Sequence, residues 1–165
     1  MGVFDSFKKK SMNNKGIKLI NHGKFEESLE YFDQSIKIDP KYDKAWYNKG
    51  NALSNMQKFE DSLICYDNAL DLNSNYDLAW MGKGFSLAYL ERYEKALECL
   101  NKALQLNREN EKIFYGKGYV LVKLGKLNEA ENCFDKALEL NPNYEDAKHS
   151  KKAISKIFKS IPYLK

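Results

Sequence analysis

Three cysteines and two histidines are the residues of this sequence whose chemistry would be easiest to recognise. Cys65, Cys99 and Cys133 are spaced 34 residues apart, and His22 and His149 lie near opposite ends of the chain. Thiolates and imidazoles at close range could form a disulfide, bind zinc or make a nucleophile with its base. Whether these side chains meet depends on the elements that carry them, and the constant cysteine spacing indicates that those elements repeat.

A 34-residue period runs through the whole chain. It is marked by the lysine-glycine pairs Lys15-Gly16, Lys49-Gly50, Lys83-Gly84 and Lys117-Gly118. A fixed period of this length is typical of stacked supersecondary units. Stacked helices lie about 8–10 Å apart, whereas a disulfide needs Cα atoms within about 7 Å. Equivalent cysteines should therefore neither bridge nor share a zinc, and we expect them to be small apolar residues on second helices.

The remaining polar residues form no recognisable catalytic motif. Gly82-Lys83-Gly84 has the composition of a phosphate-binding loop, but it follows no predicted strand and lies inside a predicted helix. The carboxylates lie mainly on the exposed faces of second helices, where a solvated surface is the usual explanation. We therefore expect no enzyme activity, no cofactor and no metal site.

Composition narrows the class of protein further. The chain has 165 residues, 43% of them hydrophobic, and a formal net charge of +4. No apolar run approaches the roughly 20 residues that span a bilayer, and no signal-peptide pattern is present, so we expect no stable membrane insertion. The charge is too small for the basic stripe of a nucleic-acid binder. Free thiols favour a reducing compartment, so a cytoplasmic location is predicted.

The residues around the glycines resemble the tetratricopeptide repeat (TPR). Ala79-Trp80-Met81-Gly82-Lys83-Gly84 and the series Ala130, Phe134, Ala137 and Pro142 are similar to that family's motif. The resemblance implies an all-α fold, a right-handed superhelix of helix-turn-helix repeats. It divides the chain into an arm or short helix (1–8), four repeats (9–42, 43–76, 77–110 and 111–144) and a capping helix with a tail (145–165).

Each repeat is predicted to contain two helices. In the second repeat, helix A is expected from about Asp43 to Met56, with Asp43 as its cap, and helix B from about Lys58 to Leu72. Glycine inside a helix costs about 1 kcal/mol relative to alanine, so its recurrence in the column of Gly50 needs a packing reason. We expect the missing side chain to let helix B approach closely.

The N-terminal segment is open to two interpretations. Met1-Gly2 with Ser6 matches the loose pattern for N-myristoylation, and Lys8-Lys9-Lys10 follows directly. A lipid chain with a basic run would make a membrane-surface adaptor. The alternative is a short helix or arm that covers the open end of the array.

The C-terminal helix, expected from about Tyr144 to Ser160, is amphipathic and basic. Its apolar face carries Ala147, Ile154, Ile157, Phe158 and Ile161. Because the last repeat would otherwise expose an apolar face, we expect a capping helix rather than one lying on an anionic membrane. Glu131, which replaces a leucine of the repeat, is expected to pair with one of its lysines.

The resemblance also implies a concave groove lined by the first helices. Within it, the amides of Asn14, Asn48 and Asn51 offer donors and acceptors to a peptide backbone. An apolar patch is formed by Met81, Phe85, Tyr89, Tyr115 and Tyr119. Phe85 and Tyr119 replace the asparagine that the family usually carries. These eight residues are the predicted binding groove of a non-catalytic scaffold for a peptide or helix of a partner protein. Self-association of the patch into a homo-oligomer is the alternative.

Charge is divided between the two helices of each repeat. The first fourteen positions of the four repeats carry ten lysines and three acidic residues, and the next fourteen carry seven basic and thirteen acidic residues. A basic groove would attract an acidic segment. The family's carboxylate clamp is nevertheless incomplete, because its positions hold Asn13, Ile17, Asn48, Leu78 and Gly82 when counted from the first repeat. Binding of a chaperone tail is therefore not expected.

Overall fold

This computed structural model describes residues 3–160, and within them helices of 14 and 13 residues alternate from Phe25 to Leu140 between a first helix of 19 residues and a last helix of 16. In that part nine helices form and no strand does. They are α1 (Val3–Asn21), α2 (Phe25–Ile38), α3 (Asp43–Asn55), α4 (Phe59–Leu72), α5 (Asp77–Tyr89), α6 (Tyr93–Leu106), α7 (Glu111–Lys123), α8 (Leu127–Leu140) and α9 (Glu145–Ser160). The predicted all-α solenoid is confirmed.

The helices stack in chain order. Each odd-numbered helix packs against the even-numbered helix that follows it, and each even-numbered helix packs against the next odd-numbered one. The odd-numbered first helices α1, α3, α5, α7 and α9 also contact one another in series, so they form one continuous face. Any groove shared by several repeats on this face must be built from their side chains.

Close helix contact explains the glycine column. A Cβ built on Gly50 would lie 2.8 Å from Cε1 of Tyr66, and one built on Gly118 would lie 2.6 Å from Cε1 of Phe134. Both rings are about 1% exposed. Since ordinary carbon contacts are about 3.5–4.0 Å, a side chain at either glycine would push the second helix away. The packing reason expected from the sequence is therefore confirmed.

The turns inside the repeats need a left-handed residue whether or not glycine is present. Gly23 and Gly125 have φ of 73° and 75°, while Gln57 and Glu91 adopt φ of 60° and 58° at the same places. A left-handed backbone costs a non-glycine residue roughly 1–2 kcal/mol. The surrounding helix pairs therefore impose this geometry on two turns that lack the favoured residue.

The ends of the helices in the second repeat differ slightly from the sequence prediction. Helix α3 ends at Asn55, with Met56 as its C-cap, and α4 begins at Phe59. The predicted cap at Asp43 is wrong: the N-cap is Tyr42, whose side chain makes no capping bond. One carboxylate oxygen of Asp43 accepts a 2.8 Å hydrogen bond from the backbone N–H of Lys44. The other accepts a 2.9 Å hydrogen bond from the side-chain amide of Asn73, which ties the two ends of the second repeat together.

Lysines at equivalent positions of the first helices link successive repeats. The ion pairs Lys49–Asp33, Lys83–Asp67 and Lys151–Asp135 have N–O distances of 2.6, 2.5 and 2.5 Å. Each one joins a first helix to the second helix of the preceding repeat. Asn101 stands where an aspartate would face Lys117. Because Lys151 is part of this series, α9 corresponds to the first helix of a fifth repeat.

Helix α9 covers the end of α8. Ala147, Ile154 and Phe158 are buried in one cluster with Phe134 and other residues of α7 and α8. Lys151 of α9 pairs with Asp135 of α8, so the partner predicted from the sequence, Glu131, is wrong. The bond to Asp135 raises the pKa of Lys151, and the charge of Glu131 only adds to this effect. Ile161, predicted for the apolar face, lies outside the described residues.

The first helix extends beyond its repeat. Residues 3–8, expected to form an arm or a short helix, are the first turns of α1, and the myristoylation pattern at Met1-Gly2 lies outside the described residues. The side chains of Phe4 and Phe7 are 78% and 74% exposed, so they do not cover the end of the array. Among the described residues, no helix has both the length and the apolar composition needed to cross a membrane.

Candidate functional site

Two of the three predicted amide contacts are used within the scaffold. The side-chain nitrogen of Asn48 donates a 2.9 Å hydrogen bond to the side-chain oxygen of Asn13. The side-chain oxygen of Asn51 accepts a 2.8 Å hydrogen bond from the hydroxyl of Tyr66. Burial raises the pKa of Tyr66, which keeps this hydroxyl protonated and able to donate. Part of each amide's bonding capacity is therefore taken by the scaffold, by the preceding repeat for Asn48 and by the second helix of the same repeat for Asn51.

The third amide lies apart from the other two. Asn48 contacts the preceding first helix, α1, through Asn13. Asn14 is the equivalent residue 34 positions earlier, and it is exposed on the side of α1 that faces away from α3. It lies among lysines of α1. Asn14 therefore belongs to the end of the array and not to a groove with Asn48 and Asn51.

Four of the predicted aromatic residues do converge. Phe85, Tyr89, Tyr115 and Tyr119, together with Ala88, line a cavity of about 120 Å³ between α5 and α7. We call this the aromatic cavity. Tyr89 and Tyr119 are 65% and 37% exposed and form its accessible rim. Met81, the fifth apolar residue of the prediction, packs instead against the buried cluster that contains Leu100.

Phe85 and Tyr89 are held by contacts that the sequence did not reveal. A Cβ built on Gly116 would lie 2.5 Å from Cε1 of Phe85, so the absent side chain at Gly116 makes room for this ring. Tyr89 stacks on Phe59 with ring centroids 4.8 Å apart and an interplanar angle of 6°. Phe59 therefore supports the ring of Tyr89, and the ring of Phe85 occupies the space left by Gly116.

Tyr115 and Tyr119 complete the cavity from α7. The ring of Tyr115 packs against Phe134 and Tyr144, with centroid distances of 5.9 and 5.1 Å. Burial raises the pKa of Tyr115, and the charge of Asp146 raises it further. The ammonium group of Lys123 lies 5.6 Å from the ring centre of Tyr119. The cavity thus has apolar walls and a cationic group at one edge.

The comparisons with known proteins identify the family. Models of the tetratricopeptide repeat match residues 10–42, 43–76 and 111–144, and a TPR repeat model matches residues 84–125. These matches span most of the sequence. The chain belongs to the tetratricopeptide repeat family. A search of the curated proteins found no match.

Solved structures of other TPR proteins share the fold. YrrB, described as a TPR protein with an unusual peptide-binding site, is 22% identical over 91% of this chain and 77% of its own, with a TM-score of 0.73. MamA from Desulfovibrio magneticus is 22% identical over 95% of this chain and 94% of its own, with a TM-score of 0.76. The first TPR of Spaghetti, solved bound to the HSP90 peptide SRMEEVD, is 25% identical over 73% and 95%, with a TM-score of 0.69.

A larger recess on this TPR array was missed by sequence reasoning. It encloses about 760 Å³ between the second helices α4 and α6, with Leu63, Leu87 and Cys99 among its lining residues. The ion pair between Lys83 and Asp67 lies at its edge. Leucine at the position of Leu87 recurs in all four repeats, and cysteine at the position of Cys99 recurs in three. This recurrence was the sequence signal from which the recess could have been found. The recess is lined in part by residues of recurring columns, whereas the aromatic cavity depends on residues that depart from the family pattern.

The cysteines lie in the core of the TPR array, as expected. Cys65, Cys99 and Cys133 are buried on α4, α6 and α8 and carry free thiols. Burial raises the pKa of Cys65 and of Cys99 to about 11. Within residues 3–160 no group of three or more histidine, cysteine, aspartate or glutamate side chains is placed to hold a metal ion.

Proposed function

We propose that this TPR array is a non-catalytic scaffold that binds a peptide or helix of a partner protein on its first-helix face. The observation that carries the proposal is the aromatic cavity, where Phe85, Tyr89, Tyr115 and Tyr119 converge on a preformed space. Exposed aromatic residues around a pocket are typical anchors of protein interfaces. In this assignment the cavity receives one apolar side chain of the partner.

The size of the cavity limits the anchor. A cavity of about 150 Å³ lined by apolar side chains can hold a benzene molecule. The aromatic cavity is somewhat smaller, at about 120 Å³, so it suits an aliphatic side chain such as leucine, isoleucine or valine better than tryptophan. Burying such a side chain contributes about 1.5–3 kcal/mol, which is enough to dominate the affinity of a short peptide.

Charge adds a second requirement for the partner. The ammonium group of Lys123 lies beside Tyr119 at the edge of the cavity, and the first helices are basic as a group. A carboxylate one or two residues from the anchor would lie close to this ammonium group. Complementary charges of this kind raise the association rate and fix the register of a bound segment. The proposed ligand is therefore an acidic segment with one aliphatic anchor.

The structural relatives support the class of function. YrrB is described as having a peptide-binding site, and the first TPR of Spaghetti was solved with a peptide bound. This chain lacks the full set of clamp residues for a terminal carboxylate, so the proposed anchor is an internal aliphatic side chain. Buried free thiols are compatible with the reducing cytoplasm in which we place the scaffold.

A peptide library displayed on phage and selected on the immobilised protein tests the proposal. We expect enriched peptides to share one aliphatic residue with acidic neighbours. Their affinity should fall about tenfold or more in the Tyr89→Ala/Tyr119→Ala variant, because the rim of the cavity is removed. These two residues are suitable targets because they are exposed, whereas Phe85 packs against Gly116 and its loss would disturb the stacking of the repeats.

The control variant is Ile64→Ala, which removes an equally exposed apolar side chain from α4 (61% exposed) and should leave peptide affinity unchanged. If no peptide is enriched, or if the rim variant binds the enriched peptides as tightly as wild type, the cavity is not a peptide site. Light scattering on the same samples tests the alternative, which is self-association of the protein through the cavity. A wild-type dimer that becomes a monomer in the rim variant would assign the cavity to self-association.

A further inference from the structure

The outer face of α1 presents two phenylalanines that pack against no part of the array. Phe4 and Phe7 are 78% and 74% exposed, more than any other large hydrophobic residue in the described part of the chain. Two large apolar side chains exposed side by side on one helix usually mark a contact surface. This surface lies at the opposite end of the array from α9, and the aromatic cavity does not include it.

The exposure of these residues follows from the length of α1. The ammonium group of Lys9 pairs with the carboxylate of Asp39 and lies 4.9 Å from the ring centre of Tyr42, so Lys9 marks the level at which α2 ends. Residues 3–8 continue α1 beyond that level. The residues 34 positions later, 37–42, end α2 and form a turn instead. The first turns of α1 therefore project from the array.

Lysines and small polar residues continue the outer face beyond the two phenylalanines. Phe4, Phe7, Ser11, Asn14 and Lys18 follow one another at spacings of three and four residues, so they share one side of α1. Opposite them, Asn13 and Gly16 are buried against the array. A shallow groove of about 460 Å³ is lined by Phe7, Lys10, Ser11, Asn14, Lys15 and Lys18, and no carboxylate lines it.

We propose that the outer face of α1 docks on the surface of an anionic lipid bilayer. Phe4 and Phe7 protrude from the helix and would insert at the level of the headgroups, while Lys10, Lys15 and Lys18 would lie near the lipid phosphates. This combination of aromatic and basic residues is characteristic of helices that lie in the membrane interface. Polybasic segments gain binding energy from each lysine held near an anionic surface.

The same observations disfavour a second copy of this chain as the occupant. A symmetric dimer places the same patch of both subunits in contact, so the lysines of one α1 would face those of the other. A folded protein partner would need two pockets for the protruding rings, whereas a fluid bilayer accepts them without a preformed shape. Docking through α1 leaves the aromatic cavity between α5 and α7 free, so both surfaces can be occupied at once.

Vesicle sedimentation with the full chain tests the proposal. We expect binding to vesicles of mixed phosphatidylcholine and phosphatidylglycerol that weakens as salt is raised, and little binding to phosphatidylcholine alone. Each lysine near the surface should contribute about fivefold to the partition coefficient. Lys10→Gln/Lys18→Gln should therefore lower binding by about twentyfold or more, and Phe4→Ala/Phe7→Ala by at least tenfold.

Matched controls carry the same changes elsewhere. Lys37→Gln/Lys41→Gln removes two exposed lysines from the end of α2 and the following turn, and Ile64→Ala removes an exposed apolar residue from α4; both should bind vesicles as wild type does. Tyr89→Ala/Tyr119→Ala should also retain vesicle binding, which separates this proposal from peptide binding. Equal loss in the lysine control, no binding to anionic vesicles, or a dimer that depends on Phe4 and Phe7 would overturn it.

Discussion

Replacing Gly118 by alanine should destabilise the array, although alanine is the better helix former. Both Gly118 and its neighbour Gly116 lie in the interior of α7, where the exchange alone would stabilise the helix by about 1 kcal/mol. The two glycines face different surroundings. A Cβ at position 118 would lie 2.6 Å from Cε1 of Phe134, whereas one at position 116 would lie 2.5 Å from Cε1 of Phe85.

The difference between the two sites is whether the neighbouring ring can move. Phe134 is 1% exposed, so the shift of about 1 Å needed to restore ordinary contact must be absorbed by the packed core. Overpacking of this kind costs about 1–3 kcal/mol, and we place Gly118→Ala near the upper limit. After subtraction of the helix gain, the free energy of unfolding should fall by about 2 kcal/mol. Phe85 is only partly buried and borders the aromatic cavity, so its ring can shift and Gly116→Ala should stay within about 1 kcal/mol of wild type.

Urea unfolding followed by far-ultraviolet circular dichroism measures the comparison directly. Because the gain in helix propensity is common to both variants, it cancels in the difference between them. A loss of about 2 kcal/mol corresponds to a decrease in Tm of about 4–8 °C for a chain of this size. If Gly118→Ala is as stable as wild type, the glycine column does not serve close packing of the helices. Gly116→Ala should lower the affinity of a selected peptide, because Phe85 would move into the cavity.

Three further outcomes follow from the ion pairs and the turns of the array. Asn101→Asp should supply the missing partner of Lys117 and raise the free energy of unfolding by about 0.2–1 kcal/mol, measured in the same urea experiment; an unchanged midpoint would contradict it. Gln57→Gly should raise it by about 0.5–1 kcal/mol, because the residue has φ of 60° and glycine removes the left-handed strain at a smaller entropic cost. The hydrogen bond from Lys9 lowers the pKa of Asp39. The stabilisation that the charged Asp39 gives the fold should therefore be complete above the ordinary pKa of aspartate and be lost as the pH falls through the lowered pKa. Asp39→Asn should make Tm decline less steeply with pH in that acid range.

Periodicity was sufficient to predict the architecture. The 34-residue spacing defined the two-helix repeats, and the glycine column predicted a close approach of the second helix, because a recurring glycine in a helix needs a steric reason. The left-handed turns at Gln57 and Glu91 could not be predicted from those residues themselves. Their geometry is imposed by the pairs of helices on either side, which is a tertiary effect that overrides local preference.

The site was only partly predictable, for a related reason. Departures from the family pattern at Phe85 and Tyr119 identified the residues of the aromatic cavity. Sequence positions do not show which hydrogen bonds a side chain makes, however, and so the bonds of Asn48 to Asn13 and of Asn51 to Tyr66 could not be anticipated. The spacing of equivalent residues assigns them to a face, but the hydrogen-bonding groups that stay free on them depend on the helices packed alongside.

The two ends of the array differ in a way that gives them different roles. Helix α9 retains Lys151 and its ion pair with Asp135, but Lys152 occupies the position at which α1, α3, α5 and α7 carry the packing glycine. A second helix that packed against α9 as α2 packs against α1 would clash with the side chain of Lys152. This side of α9 therefore presents a polar surface. Helix α1 keeps the glycine and packs fully against α2, yet its outer face exposes Phe4 and Phe7. The proposed docking of α1 on an anionic bilayer would therefore leave α9 and the face formed by the odd-numbered helices away from the lipid, where the proposed peptide ligand could still reach the aromatic cavity.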